Sequence, residues 1–463
     1  MKNARLLFHG LVWLAAIPVL AAPSPAGEEA DGVLQMVISL LADTDKDVRA
    51  LGLEQVRSEL KGPAATEVFA ALLPKLPQDA QAGLVGALAE RGDKAARPAV
   101  LSLLAASRAP PVRLAAIGAL VCLGEPADAH VLIRLLSEGP PDEQAAARSS
   151  LSRMPGAPVS ATIAEAIGGA TAPLRVTLIE ILGQRRAAET VARILPLAVE
   201  ADPRVRAAAI DALGKLAGPE HIPAMVQVVL QAEEGRQREA AEKAVMFACG
   251  RIADPQKQAE PLLAAIEGLG PADRAAMLPT LGRVGGDAAL PSVETAIASR
   301  DPAAHEAGVR ALCNWPDASV AARLIELAQA DAHPEHRTAL LRALVRIAPL
   351  RDGRTDSERL ALLQKAMALC TRDAERALVL RRAAAIRTVE TLRFLLPYLD
   401  TPYAADACQA VVELAHHRTL REPNKAEFDR ALDRVIETSK DATVIDRAGR
   451  YKKGQTWAAP AKP

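Results

Sequence analysis

Aromatic residues make up only 2% of this 463-residue chain: three Trp, three Tyr and five Phe. Half of the residues are apolar, so the core must be built from Ala, Leu, Val and Ile. Such a composition suits closely packed helices, because Ala and Leu carry high helix propensity. Past the N-terminal stretch only Trp315, Trp457, three Tyr and four Phe remain. That scarcity argues against a carbohydrate site, which uses exposed aromatic faces. An excess of either charge is also missing: Lys+Arg and Asp+Glu stand at 56 each. A neutral balance removes the electrostatic case for nucleic acid and for an anionic membrane surface. The five cysteines, Cys122, Cys249, Cys313, Cys370 and Cys408, are odd in number and scattered, which excludes a disulfide framework. They read as small core residues. No G-x-S-x-G elbow, P-loop, strand-borne G-x-G-x-x-G or H-E-x-x-H frames a reactive group.

Long apolar runs are confined to one place. Lys2 and Arg5 precede the apolar stretch Leu6–Leu20, followed by small residues that allow cleavage after Ala21 or Ala26. This is the layout of a secretory signal. About fifteen apolar residues fall short of the roughly 20 that a spanning helix needs. Residues 1–26 are therefore expected to be a Sec-type signal peptide, in preference to an uncleaved anchor helix. The mature protein is expected to be periplasmic or secreted, with no stable membrane insertion. No Cys near the cleavage region offers a lipid anchor.

What the chain does have is a phrase repeated about every thirty-one residues. Its clearest copy is DPRVRAAAIDALGKLAG at Asp202–Gly218, with weaker copies at Asp45–Val56, Pro110–Gly124, Asp301–Trp315 and His333–Ile347. Val48, Val112 and Val205 begin equivalent helices, 64 and 93 residues apart. A fixed period of this size marks a solenoid, in which each unit buries its apolar face only against its neighbours. Within a unit, Asp202 is a good N-cap and Pro203 fits the first helical position. Val205, Ala208, Ala209, Ala212, Leu213 and Leu216 form one helical stripe. Gly218-Pro219 breaks the helix. Ile222, Met225, Val226, Val229 and Leu230 then form a second stripe. Each unit is thus a helical hairpin, and eleven or twelve fit between Asp43 and His417. The polar insertion Pro349–Ser357 reads as a surface loop.

Asp202-Pro203-x-Val205-Arg206, followed by Ala208, Ala209, Ala212, Leu213 and Gly214, resembles HEAT repeats, in particular the short HEAT-like repeats of the phycobilisome-lyase type. The resemblance covers most of residues 43–417. It implies an all-α, right-handed αα superhelix (solenoid), with one helix of each unit on the concave side. The expected organisation is a signal peptide at 1–26, an N-terminal segment and cap at 27–43, the repeat array at 44–420, and C-terminal capping helices with a disordered tail at 421–463. In that last part Phe428, Leu432, Val435 and Ile436 mark an amphipathic helix capped at Asn424, followed by a second short helix. A solenoid needs polar-faced ends, which favours a cap. The alternative is a docking appendage using Tyr451, Lys452, Lys453 and Trp457.

Candidate sites are sparse. HEAT-like deoxyhypusine hydroxylases, within the same resemblance, bind iron through several His-Glu pairs. This chain has one, His305-Glu306, at the position that Arg206, Arg113 and Arg49 hold elsewhere, and it reads as drift at a basic position. His333, His336 and the pair His416-His417 read as solvated histidines at helix ends. A histidine site would require His305, His333 and His336 to converge across adjacent units. The repeated Arg49, Arg113, Arg206 and Arg337 form either a binding ladder or, the favoured reading, a structural series paired with Asp47 and Asp202 along the turn edge.

The expected function is a monomeric, non-enzymatic exported scaffold, without cofactor or metal, that grips a protein or peptide along its concave surface. The alternative is a metal- or cofactor-binding HEAT-like enzyme of lyase or hydroxylase type using histidines on that surface.

Overall fold

The computed structural model describes residues 25–457 except 60 and 331–332, with side chains from residue 32 onward. The expected signal peptide and the final residues 458–463 thus fall largely or wholly outside the described part. Among the described residues every regular element is helical, and no helix is long and apolar enough to cross a membrane. The chain divides into two compact units, at Gly168/Gly169.

In the first unit, a leading helix at Pro25–Leu41 precedes four hairpins, whose first helices are Lys46–Ser58, Gln78–Arg91, Pro110–Leu123 and Pro141–Arg153. Their second helices are Pro63–Ala70, Arg97–Ala106, Ala129–Glu138 and Ala157–Ala166. In the second unit eight hairpins follow, with first helices beginning at Ala172, Pro203, Arg236, Pro271, Pro302, Arg337, Asp373 and Ala404. A helix at Ala442–Lys452 closes this unit. Each unit is therefore an all-α solenoid, and the total of twelve hairpins agrees with the repeat count read from the sequence.

The local chemistry of the phrase explains each hairpin. The Asp202 carboxylate accepts from the backbone N–H of Arg204 at 2.8 Å and of Val205 at 3.4 Å, and Pro203 opens the helix. Asp45 and Asp301 cap their helices in the same way. Val205, Ala209, Ala212, Leu213 and Leu216 are buried, whereas Ala208 is half-buried and Ile210 takes a core place instead. On the second helix Val228 is buried and Leu230 lies at the margin.

Small residues let the first helices of successive repeats touch. A Cβ built on Gly282 would stand 2.0 Å from the Ala311 carbonyl oxygen, and one on Gly308 would stand 2.7 Å from the nitrogen of Ile297, on the second helix of the preceding hairpin. Cys249, Cys370 and Cys408 are buried as expected, but Cys313 is half-buried and Cys122 is exposed; all five are free. The insertion runs from Pro349 only to Thr355, where Thr355 and Glu358 form a capping box. Arg354 holds the loop, pairing with Asp352 at 2.8 Å and reaching the terminal carbonyls of the preceding helix.

At the C-terminus Phe428, Leu432 and Val435 are buried on helix Lys425–Thr438. Asn424 occupies the cap position, but its side chain donates to the Leu420 carbonyl instead. Tyr451 is 2% exposed, and its hydroxyl lies 2.9 Å from His416 Nδ1. Arg421 and Arg447 stand over its ring at 5.3 and 5.8 Å. Lys452 pairs with Asp433. Tyr451 is thus core and Lys452 is engaged within the fold.

Candidate functional site

The joint between consecutive repeats is where the recurrent basic residue acts. Arg113, four residues after the cap position Ala109, points one way to the preceding hairpin and the other way to the next. Its Nη1 donates to the Leu104 carbonyl at 2.5 Å, at the end of the preceding helix. Its Nε and Nη2 donate to Glu143 at 2.6 and 2.7 Å. Arg49 likewise bonds the Asp43 and Thr44 carbonyls and pairs with Asp79 of the next repeat. Arg206 bonds the Glu200 and Ala201 carbonyls and pairs with Glu233 at 2.7 Å. Arg337 donates to the Leu369 carbonyl at 3.0 Å.

The acids that answer these arginines are not Asp47 and Asp202, as the turn-edge reading expects. Asp202 is occupied with its own helix cap and with Arg204. The partners come from the following repeat, near its helix start, where an anion also favours the positive end of the helix. The Arg113–Glu143 hydrogen bond holds the Glu143 carboxyl below the usual glutamate range, against burial, which pushes it up.

Two ion pairs escaped sequence reasoning because their partners sit outside the phrase. Arg97 binds Asp128 with two hydrogen bonds at 2.7 Å each. Arg283 reaches the fully buried Glu242 at 2.9 Å across 41 residues. The recurrence interval of about 31 could have flagged Arg97–Asp128. Nothing in the spacing flags Arg283–Glu242.

One joint carries histidine at this position. His305 sits four residues after its cap, Asp301, where Arg113 and Arg206 sit after theirs. His336 sits three residues after His333, as Glu143 does after its cap residue Pro140. The Arg–carboxylate pair seen at the Arg49, Arg113 and Arg206 joints is here replaced by imidazoles. One ligand-type nitrogen from each of His305, His333 and His336 lies within 4.8 Å of the others. The ring centroids are 4.3 Å apart for His305–His333, 5.4 Å for His305–His336 and 5.7 Å for His333–His336. Of the two histidines here that read as solvated, His333 is exposed but His336 is half-buried, as is His305, which reads as drift. They meet because the solenoid stacks residues one period apart, which the sequence shows only as spacings of 28 and 31. His416 and His417 are elsewhere, with His416 bound to Tyr451. Burial, with Arg387 and His416 nearby, lowers the His417 pKa.

The second feature is a groove between helices Pro203–Leu216 and Arg236–Cys249. Its volume is about 500 Å³. Ala207, Ile210, Gly214, Ala240 and Ala244 form its floor, and Arg206, Lys215, Arg236 and Lys243 outnumber Asp211 and Glu233 around it. Phe247 forms one wall and is 53% exposed.

Residues 66–152 and 159–246 match the family model described as HEAT repeats. Those two segments carry HEAT repeats. The joint arginines Arg113 and Arg206 lie inside the matched HEAT segments, and the histidine joint lies beyond them. No curated protein matches the sequence. Among solved structures, the chain is similar to the karyopherin Kap121p at 11% identity, with 92% of this chain and 56% of that one covered and a TM-score of 0.44. It is also similar to Kap95p in a structure concerning RanGDP, at 13% identity, 92% and 64% coverage and a TM-score of 0.43. A structure of importin beta aligns at 12% identity, 91% and 68% coverage and a TM-score of 0.37. The chain thus spans little more than half of the length of Kap121p. At these identities the likeness concerns fold alone.

Proposed function

We propose that this HEAT-repeat protein is a non-enzymatic scaffold that binds a protein segment along the row of first helices, centred on Phe247. The observation that carries this reading is the exposure of Phe247 in an aromatic-poor chain, on the wall of a small-residue groove. Exposed large aromatics at the centre of a concave apolar surface are the usual anchors of protein binding. The groove suits an apolar side chain flanked by a carboxylate, because Arg236 stands exposed at its rim. Arg49, Arg113 and Arg206 serve the joints in this reading and leave recognition to the groove. The N-terminal layout of residues 1–26 supports export, so the partner would be met outside the cytoplasm, by a monomer.

A photo-crosslinking residue placed at Lys243, beside Phe247, tests the scaffold reading in cells of the native host. We expect one dominant crosslinked protein, whose yield falls at least tenfold with Phe247→Glu while the helical circular-dichroism signal is unchanged. Equal yields from the two forms, or crosslinks to many proteins without preference, would overturn the reading. N-terminal sequencing of the protein recovered from the cell envelope tests export; an intact Met1 would refute cleavage.

A further inference from the structure

We propose that His305, His333 and His336 form a binding site for one divalent first-row transition-metal ion, such as zinc. The proposal is independent of the scaffold reading and rests on four observations.

The first is convergence. Three imidazoles from two consecutive repeats bring one nitrogen each within 4.8 Å. Nitrogens bound to a common tetrahedral zinc stand about 3.3 Å apart, from a bond length of about 2.0–2.1 Å. The imidazoles therefore have to draw closer to one another on binding.

The second is the preset tautomer of His305. Its Nδ1 lies 2.6 Å from the Ile297 carbonyl oxygen, an acceptor only, so Nδ1 carries the proton. That leaves the lone pair on Nε2. A metal-binding histidine is held in this way, with its other ring nitrogen donating to a carbonyl or carboxylate.

The third is that His305 Nε2 is buried and has no hydrogen-bond partner. A buried acceptor without a partner is destabilising, and coordination satisfies it. At the Arg49, Arg113 and Arg206 joints the guanidinium at this position also donates to a carboxylate toward the next repeat. Here the next repeat offers two more imidazoles, whose lone pairs a shared cation can engage together with that of His305.

The fourth is an outer carboxylate. Glu335 Oε1 lies 3.3 Å from His333 Nδ1 and 3.9 Å from His336 Nε2. It orients His333 so that Nε2 faces away from the acid, and it offsets the charge of a bound cation. Three neutral imidazoles with an outer carboxylate suit zinc, copper(II) or nickel(II), and disfavour magnesium or calcium, which take oxygen ligands. Three protein ligands leave one coordination position for water or for a group from a partner.

The test uses the untagged full-length chain, stripped with chelator and titrated with Zn²⁺ by calorimetry, with Co²⁺ absorption as a geometric probe. We expect one equivalent of Zn²⁺ bound at micromolar affinity or tighter, a tetrahedral Co²⁺ spectrum, and a rise in melting temperature with zinc. His305→Gln and His336→Gln should each weaken binding at least 100-fold, and His130→Gln, at an exposed site elsewhere, should leave it unchanged. His333→Asn, at the exposed corner, supplies the same loss of affinity in a protein that folds should either of the other two variants fail to fold. Absence of one-equivalent binding, or binding retained when His333 or His305 is replaced, would overturn the site.

Discussion

Arg113 crosses from one repeat to the next and clasps Glu143 with Nε and Nη2, at 2.6 and 2.7 Å, while Nη1 closes the end of the preceding hairpin at Leu104. Glu143 is 6% exposed in this pair, whereas Glu233, the partner of Arg206, is 75% exposed. The two joints share a sequence position but differ in desolvation. Breaking a buried pair leaves an unpaired charge, and an exposed pair is worth little. Glu143→Ala should therefore destabilise the protein by about 2–4 kcal/mol, and Glu233→Ala by less than about 1 kcal/mol. Urea unfolding midpoints of the two variants would show the difference; equal shifts would refute it.

The same buried pair makes stability sensitive to acid. Arg113 holds the Glu143 carboxyl below its ordinary value of 4.5. In the first unit Asp128 is also held below its ordinary 3.8: burial, the largest influence, pushes it up, but the Arg97 hydrogen bonds, the Glu125 backbone N–H and the Arg97 charge together outweigh it. A depressed folded-state pKa contributes stability that is present above the unfolded value and is lost as pH falls through the folded one. Stability should thus decline as pH drops below 4.5. Glu143→Gln, less stable at neutral pH, should show a shallower decline. Melting temperatures across an acid series would decide it, and parallel slopes would count against the linkage.

Thiol chemistry should separate the cysteines. Burial pushes the Cys249 thiol up to about 12 and the Cys370 thiol up to about 11, so neither presents a thiolate at neutral pH. Cys122 is exposed. Brief alkylation of the folded protein should label Cys122 first, with Cys249, Cys370 and Cys408 labelled only in denaturant. Peptide mass spectrometry reads this directly, and early labelling of Cys249 would contradict the packing.

The closing helix is part of the core. Tyr451→Phe should cost about 1 kcal/mol through the lost His416 hydrogen bond, and Tyr451→Ala about 3–5 kcal/mol through the cavity. Deleting residues 440–463 should lower both helix content and melting temperature. An unchanged circular-dichroism spectrum and melt after that deletion would restore the reading of this segment as a docking tail.

Close helix contact sets the last prediction. Gly282→Ala places a methyl 2.0 Å from the Ala311 carbonyl oxygen and should destabilise by about 1–3 kcal/mol. Gly118→Ala meets nothing within 4 Å and should stabilise its helix by up to about 1 kcal/mol. Opposite shifts in the unfolding midpoint are expected; a tolerated Gly282→Ala would mean that the helices can separate there.

The phrase itself determined the hairpins. Asp202, Pro203 and the Val205–Leu216 stripe act within one turn or one helix, so their physics is local and readable from spacing. The repeat count followed for the same reason. Pairing between repeats was decided by tertiary structure alone. Arg113 finds Glu143, and not an aspartate of its own turn, because stacking places the start of the next helix beside it. Arg283 finds Glu242 across a packed interface that no period predicts. The same stacking turns His305 and the HPEH segment, unremarkable as separate histidines, into three rings around one point. Sequence shows which side chains a repeat carries, but the distance between groups one period apart depends on how closely the repeats stack, and that is set by packing at positions such as Gly282 and Gly308.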